Sequence, residues 1–301
     1  MKVNIFLCAG LGNQLFQLAW AYYLNKKYNL NVVLPLVFLK KNPHHGSDFS
    51  LLLGKNISNI SFLEKSIFGF NIFAKMIRKI MILTKIISIP NLLLFDINNI
   101  IRNISDFEKR INYPYQFAFF MCVDVALFSK SFFRDQIKNK HNHCIEFYQN
   151  KYSEYVGIHC RRGDTLNNVF HKEVRPTKIS YIKSAMSKFE LRPTEISYIK
   201  SAMSKFKNRK FIIFSDDIGW CKKNLKNYKD LEYSCKKSPI EDFLGLMSCK
   251  DYILSGSSFS WWAALINASK ETKVIIPKSV LHYPYMSVLD NEKIGWDYEI
   301  I

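Results

Sequence analysis

The alternation of apolar and polar positions is clearest in the second half of the chain. Residues 155–160, 211–215, 252–255 and 273–276 are short apolar runs rich in β-formers, and helically spaced segments lie between them, the last at 260–268. Strands that alternate with helices in this way predict a parallel sheet covered on both faces. At the start, residues 2–8 read as a strand, Gly10-Leu-Gly-Asn13 as the turn launching a helix through about Lys26, and residues 31–36 as a returning strand. Leu15, Phe16, Leu18, Ala19, Tyr22 and Tyr23 recur at helical spacing along that helix. This is a β-turn-α-β unit of Rossmann type, although its single Gly-x-Gly-Asn lacks the full dinucleotide fingerprint. Asn13 either faces a ligand or caps the helix.

The middle of the chain is less regular. Residues 66–90 are apolar but interrupted by Lys75, Arg78, Lys79 and Lys85 on one side of a helix, so the segment reads as basic and amphipathic rather than spanning. It either packs on its own domain or lies in a membrane interface. His141-Asn-His-Cys144 lacks a second ligand pair at metal-site spacing, and its polar neighbours make it a surface linker. The domain boundary is placed near Asn150, giving domains 1–150 and 151–301. From Asp290 the chain is polar and aromatic, with Trp296 and Tyr298 expected to pack back on the sheet.

One feature interrupts the second domain. Residues 173–189 are repeated at once as 190–206, the copies differing only at Val174/Leu191 and Lys178/Glu195. Each copy has a proline near the first helical position and apolar residues at helical spacing, so each encodes one amphipathic helix, and Pro193 separates the two. A single helix suffices to connect the strands at 155–160 and 211–215, which leaves one copy as a surplus helix.

Composition narrows the function classes. The 301 residues are 48% hydrophobic, enough for two cores, and the net charge is +18. The bases are spread along the chain rather than clustered among exposed aromatics, which disfavours a nucleic-acid-binding protein and leaves a nucleotide-sugar or an anionic membrane surface to profit from the positive field. Seven cysteines without close pairing read as reduced core residues of a cytoplasmic protein. The apolar run at the start is too short for a signal peptide.

The chemistry gathers at three strand ends. The run 155–160 ends in His159-Cys-Arg161-Arg162-Gly-Asp164, where an arginine pair either holds phosphate oxygens or salt-bridges Asp164. The run 211–215 ends in Asp216-Asp217, a pair of hydrogen-bond-accepting carboxylates. The run 252–255 leads through Ser257 and Ser258 into a helix, so the amides around Phe259 lie at a helix N-terminus, which favours an anion. One pyrophosphate would touch both that terminus and the arginines.

Gly10-Leu-Gly-Asn-Gln-Leu-Phe-Gln17, His159-Cys-Arg-Arg-Gly-Asp164, Phe214-Ser-Asp-Asp-Ile-Gly-Trp-Cys221 and Ser257-Ser-Phe-Ser-Trp-Trp262, taken in order, resemble the bacterial galactoside α-1,2-fucosyltransferases. A Gly-Tyr-aromatic-Gln stretch usual in that family has no clean match; Tyr115-Gln-Phe stands nearby. The resemblance implies an α/β protein of GT-B architecture, two Rossmann-type domains with parallel sheets facing across a cleft, the first on the acceptor side and the second binding GDP-fucose. It implies inverting transfer of L-fucose to the 2-hydroxyl of a terminal β-galactoside in a surface glycan or its precursor. A GDP-sugar-binding homologue without transferase activity is the alternative. By the resemblance Arg161 contacts the β-phosphate and leaving oxygen, Arg162 supports it, Asp216 accepts from the N1–H and exocyclic amine of guanine, Gly12 is among the donor-binding residues, and Asn13 faces the cleft near the transferred sugar. His159, Asp164 and Asn13 are the candidates for handling the acceptor proton, with His159 equally placed to support the arginines. No Asp-x-Asp motif occurs in the sequence, so neither a metal nor another cofactor is expected. The bacterial members are soluble, unlike the membrane-anchored animal enzymes, which implies a cytoplasmic protein and leaves open a peripheral contact at the inner face of the cell membrane.

Overall fold

The structure, a computed structural model, describes residues 2–7, 9–35, 52–53, 94–95, 104–105, 111, 115–117, 120–162, 194–235, 238–281, 286 and 294–301. The amphipathic segment 66–90, the first repeat copy 173–189 and Asp164 lie outside them. The chain divides into two compact units, Met1–Ser129 and Lys130–Ile301.

In the first unit, β1 (Lys2–Ile5), β2 (Asn31–Val33), β3 (Leu94–Phe95) and β4 (Tyr115–Phe117) form an all-parallel sheet in the order β2-β1-β4-β3. Helix α1 (Leu11–Tyr28) crosses from β1 to β2 and ends at Asn29, whose φ of 52° gives the left-handed turn that asparagine tolerates. From Leu11 to Ala21 every residue of α1 is buried except Asn13. Burying polar side chains on such a helix requires partners: Gln14 Nε2 donates to Ala9 O at 2.7 Å, and Trp20 Nε1 donates to Gln116 Oε1 at 2.6 Å. Gln116, on the stretch without a clean family match, thus anchors α1 from inside the sheet.

Helix α2 (Val123–Tyr152) carries a kink at His141, where φ is −126° and ψ 25°. The division between the units falls inside this helix, before the boundary expected near Asn150. The His141–Cys144 segment read as a linker is helical, with Asn142, His143 and Cys144 exposed.

The second unit is organised on β5 (Tyr155–Cys160). After α3 (Ile196–Ser204), β6 (Lys210–Ser215), α4 (Ile218–Leu225) and β7 (Leu231–Tyr233), the chain returns through α5 (Pro239–Met247) to β8 (Asp251–Ile253), then α6 (Ser258–Asn267), β9 (Lys273–Ile276) and β10 (Asp297–Ile300). All six strands are parallel, in the order β7-β6-β5-β8-β9-β10. The α/β class and the parallel sheets are as the sequence predicts. Four strands go beyond the sequence reading: β3 and β4 in the first unit, and in the second β7 and β10, the last an edge strand rather than a tail packed against the sheet. Trp296, just before β10, is buried as expected, while Tyr298 sits within the strand and is only partly buried.

Strand β5 is covered on both faces. Val156, Ile158 and Cys160 join Ile199, Ala202, Met203 and Phe206, together with Cys221 and Leu225 of α4, in one core. On the opposite face a Cβ at Gly157 would come within 2.8 Å of Leu246 and 2.9 Å of the Cys249 sulfur, so only glycine lets α5 lie this close. Cys122, Cys160, Cys221 and Cys249 are buried as their reading as core residues requires, whereas Cys144 and Cys235 are exposed and do not belong to a core. Hydrogen bonding with Cys221, then burial, pushes the Cys160 thiol well above the ordinary value and keeps it protonated at neutral pH.

Candidate active site

The chain leaves β5 in one direction towards β6 and β7, and fills the other side with β8, β9 and β10. That reversal puts a switch point between β5 and β8, and in sheets of this order ligands sit outside the carboxyl ends of the strands at such a point. His159, Arg161, Arg162, Asp216, Ser257, Ser258 and Phe259 all belong to the carboxyl ends of β5, β6 and β8 or to the turn into α6.

Arg161 is the first residue beyond β5. Its Nη1 lies 3.4 Å from Ser257 Oγ, which brings the guanidinium to the amino end of α6. Ser257 is the N-cap of that helix, and its Oγ accepts from Phe259 N–H at 3.3 Å. The cap therefore already engages one of the amides expected to hold pyrophosphate, through a long bond that an anion can share or replace. At the other end of α6, Lys130 Nζ donates to Ala268 O at 3.2 Å and Arg134 Nε donates to Ile266 O at 2.8 Å. Cations at the carboxyl end complement the helix dipole and hold α6 in place by two side chains of α2. Burial, then the charge of Arg134, lowers the pKa of Lys130 to about 8.

Arg162 is held differently. Its guanidinium carbon lies 3.6 Å from the centroid of Trp220, its Nη1 donates to Thr194 O at 3.1 Å, and its backbone N–H donates to Asp216 Oδ1 at 2.8 Å. Stacking on Trp220 and bonding to a backbone carbonyl fix this side chain beside the site. Asp216, expected to face guanine, thus also ties the end of β6 to the turn after β5. Asp217 has a separate task, accepting from Trp220 N–H at 3.0 Å as the N-cap of α4.

His159 is 8% exposed. Its Nδ1 lies 2.6 Å from Ser255 Oγ, and its ring stacks on Phe259 with centroids 5.3 Å apart. Both contacts fix the ring against the two strand ends and the start of α6. Gly12 and Asn13 lie in the first turn of α1 in the other unit, where Gly10 and not Asn13 is the N-cap. Asn13 is thus not the capping residue, and it is the partly exposed position in an otherwise buried stretch just beyond β1.

Sequence reasoning missed Thr194. It is 8% exposed and contacts the backbone of Arg161 on both sides, accepting from Arg161 N–H at 3.1 Å through Oγ1 and donating its own N–H to Arg161 O at 3.0 Å. A threonine between a proline and a helix start was the available signal, and the repeat drew attention to the helix instead.

A family model described as Glycosyl transferase family 11 matches residues 2–300. Among curated proteins the chain is similar to the O-antigen biosynthesis glycosyltransferase WbnK of Escherichia coli, 29% identical over 128 residues that make up 41% of this chain and 38% of that protein. It is also similar to an alpha-1,2-colitosyltransferase of Escherichia coli, 30% identical over 36% of this chain and 35% of that protein. A galactoside 2-alpha-L-fucosyltransferase, SEC1 of Bos taurus, is 27% identical over 38% of this chain and 29% of that protein. The chain thus spans about a third of the length of the curated relatives it matches.

Proposed function

Because the chain belongs to glycosyl transferase family 11, we propose that it is an inverting glycosyltransferase that moves L-fucose from GDP-β-L-fucose to the 2-hydroxyl of a terminal β-galactoside in a surface glycan or its precursor. In this reading its two units are the acceptor and donor domains of a GT-B enzyme. The observation that carries the reading is the approach of Arg161 to Ser257 at the switch point, which sets a guanidinium and a helix amino end around one position.

As the fucosyl bond breaks, negative charge grows on the β-phosphate. Donors already aimed at that charge lower the barrier without reorganising during the reaction. Arg161 takes the β-phosphate and leaving oxygen, and the Ser257, Ser258 and Phe259 amides take the remaining pyrophosphate oxygens. Arg162, stacked on Trp220, supports Arg161 through its backbone and adds positive potential. Asp216 accepts from the guanine edge while holding Arg162 N–H. His159 supports this cluster, the acceptor proton goes to a basic group of the same motif, His159 or Asp164, and Asn13, whose amide is not basic, can only hydrogen-bond the acceptor hydroxyl. Guanidinium and helix terminus together take the part a metal plays elsewhere, so the reaction needs none. The net charge of +18 favours a peripheral contact with an anionic membrane, where a lipid-linked acceptor would be presented; among the described residues no helix is long and apolar enough to cross a membrane.

The test is an acceptor screen with radiolabelled GDP-fucose and linkage analysis of the product. Transfer to the 2-position of a β-galactoside supports the reading, and GDP binding with no transfer to any galactoside would leave a donor-binding homologue instead. The similarity to a colitosyltransferase is a reason to run a colitose donor in parallel.

A further inference from the structure

Two consecutive arginines follow β5, whose ladder with β6 ends at the pair Cys160 and Ser215. Within β5 the ladder supplies the backbone bonds; at Arg161, Thr194 bonds both the N–H and the carbonyl. Thr194 Oγ1 accepts from Arg161 N–H at 3.1 Å and stands 3.2 Å from Arg161 O, to which Thr194 N–H donates at 3.0 Å. Its carbonyl accepts from Arg162 Nη1 at 3.1 Å. Thr194 thus behaves as a one-residue strand that extends the sheet past Cys160, and helix α3, which begins two residues later, fixes it in turn. Ile199, Ala202, Met203 and Phe206 seat α3 in the core, and Tyr198 Oη donates to Leu254 O at 2.7 Å.

We propose that Thr194 is a positioning residue for the transfer proposed above: its hydroxyl fixes the backbone of Arg161 and so aims the guanidinium at the amino end of α6. The inference rests on the assignment of Arg161 to the donor phosphate. Without the hydroxyl, the part-buried N–H of Arg161 loses this acceptor and the turn is released to shift. A shift of that kind moves the guanidinium away from Ser257, and misplacement by about 1 Å costs roughly a hundredfold in rate where geometry carries the chemistry.

The repeat complicates the test and also sharpens it. Thr177, Tyr181, Ile182, Ala185, Met186 and Phe189 stand in the first copy where Thr194, Tyr198, Ile199, Ala202, Met203 and Phe206 stand in the second. Every buried side chain of the α3 seat is therefore duplicated, and the substituted position Glu195 is exposed. A variant at Thr194 alone leaves a second threonine in an equivalent sequence, so both are changed.

The experiment compares Thr194→Val, Thr194→Ser and the double variant Thr177→Val/Thr194→Val in the full chain. For each, kcat and KM for GDP-fucose, the Kd for GDP and the thermal midpoint are measured. The double variant should lose about tenfold to a hundredfold in kcat and bind GDP more weakly. Thr194→Ser, which keeps the hydroxyl, should stay within a few-fold of the parent. A mild Thr194→Val joined to a severe double variant also supports the proposal, since it identifies Thr177 as the substitute. Parental kcat and GDP affinity in the double variant would overturn it, as would a serine variant as impaired as the valine one, which would mark packing rather than hydrogen bonding. If the parent bound GDP without transferring fucose, the proposed activity would fall, and the affinity series would still decide whether Thr194 positions Arg161.

Discussion

Arg161 Nη1 and Ser257 Oγ lie 3.4 Å apart, although 96 residues separate them in the chain. One leaves the central strand β5 and the other caps the helix after β8, so their meeting is a direct consequence of the strand order. Folding brings together a planar cation and a helix amino end, each suited to phosphate and each insufficient alone.

Arg161→Ala and Arg161→Lys should both keep the fold and lower kcat by about two to three orders of magnitude. Lysine keeps the charge but loses the fork that can hold Ser257 Oγ and a phosphate oxygen together. Circular dichroism and a thermal melt would check the fold, and steady-state kinetics the rate; near-normal turnover by the lysine variant would remove Arg161 from the reaction.

Asp216→Asn retains an oxygen that can accept from Arg162 N–H and removes the charge proposed to meet guanine. Guanine contacts are the same in ground and transition states, so the loss should appear in KM, by about tenfold or more, with kcat nearly unchanged. A loss confined to kcat at saturating donor would place Asp216 nearer the chemistry than the base.

The C-terminal sheet was legible because its central strands are short, apolar and closed by chemically distinctive ends. The run 155–160 matches β5, and 211–215 misses only Lys210 of β6. Strand β7, Leu231-Glu-Tyr233, and edge strand β10, Asp297-Tyr-Glu-Ile300, carry charged residues and too few apolar ones to announce themselves, since an edge strand needs only one buried face. The cluster of His159, Arg161, Arg162, Asp216 and Ser257 was readable for the same reason as the strands. Thr194 was not, because its importance lies in two backbone groups of another residue, and no side-chain pattern encodes that.

Activity should persist in excess EDTA. A guanidinium and helix amides do not leave with a chelator, and no Asp-x-Asp occurs in the sequence to hold a divalent ion. Loss of transfer in EDTA, restored by added Mg²⁺ or Mn²⁺, would show that leaving-group charge is met by a metal.

Lys130 should reveal itself in the pH dependence of stability. Its pKa in the folded protein is lowered to about 8 from 10.5, chiefly by burial. Between those values the unfolded chain binds more protons than the folded one, so stability rises with pH across that window and is flat with respect to this group below it. The stability of the parent relative to Lys130→Met should therefore climb by about 1 kcal/mol from pH 8 to 10.5, a figure reduced because the side chain is partly solvated. Denaturant unfolding of both proteins at several pH values measures the difference; a gap independent of pH would show that Lys130 titrates normally.

Deletion of residues 173–189 should leave a working protein. The seat beside β5 is occupied by the second copy: Thr194 braces Arg161, while Ile199, Ala202, Met203 and Phe206 fill the core and Tyr198 bonds to Leu254 O and Ile275 O. One helix completes the crossover from β5 to β6, and the joined chain keeps that copy whole. Removing the first copy roughly halves the connection from Arg162 to Thr194, which changes loop-closure entropy by only about 0.6 kcal/mol, in the stabilising direction. The thermal midpoint should hold or rise slightly, and GDP affinity and fucose transfer should stay near parental values. An insoluble product would mean that the first copy belongs to the fold. A soluble one that binds GDP but no longer transfers would mean that it serves the acceptor, since Arg161, Asp216 and Ser257, proposed to hold the donor, are untouched by the cut.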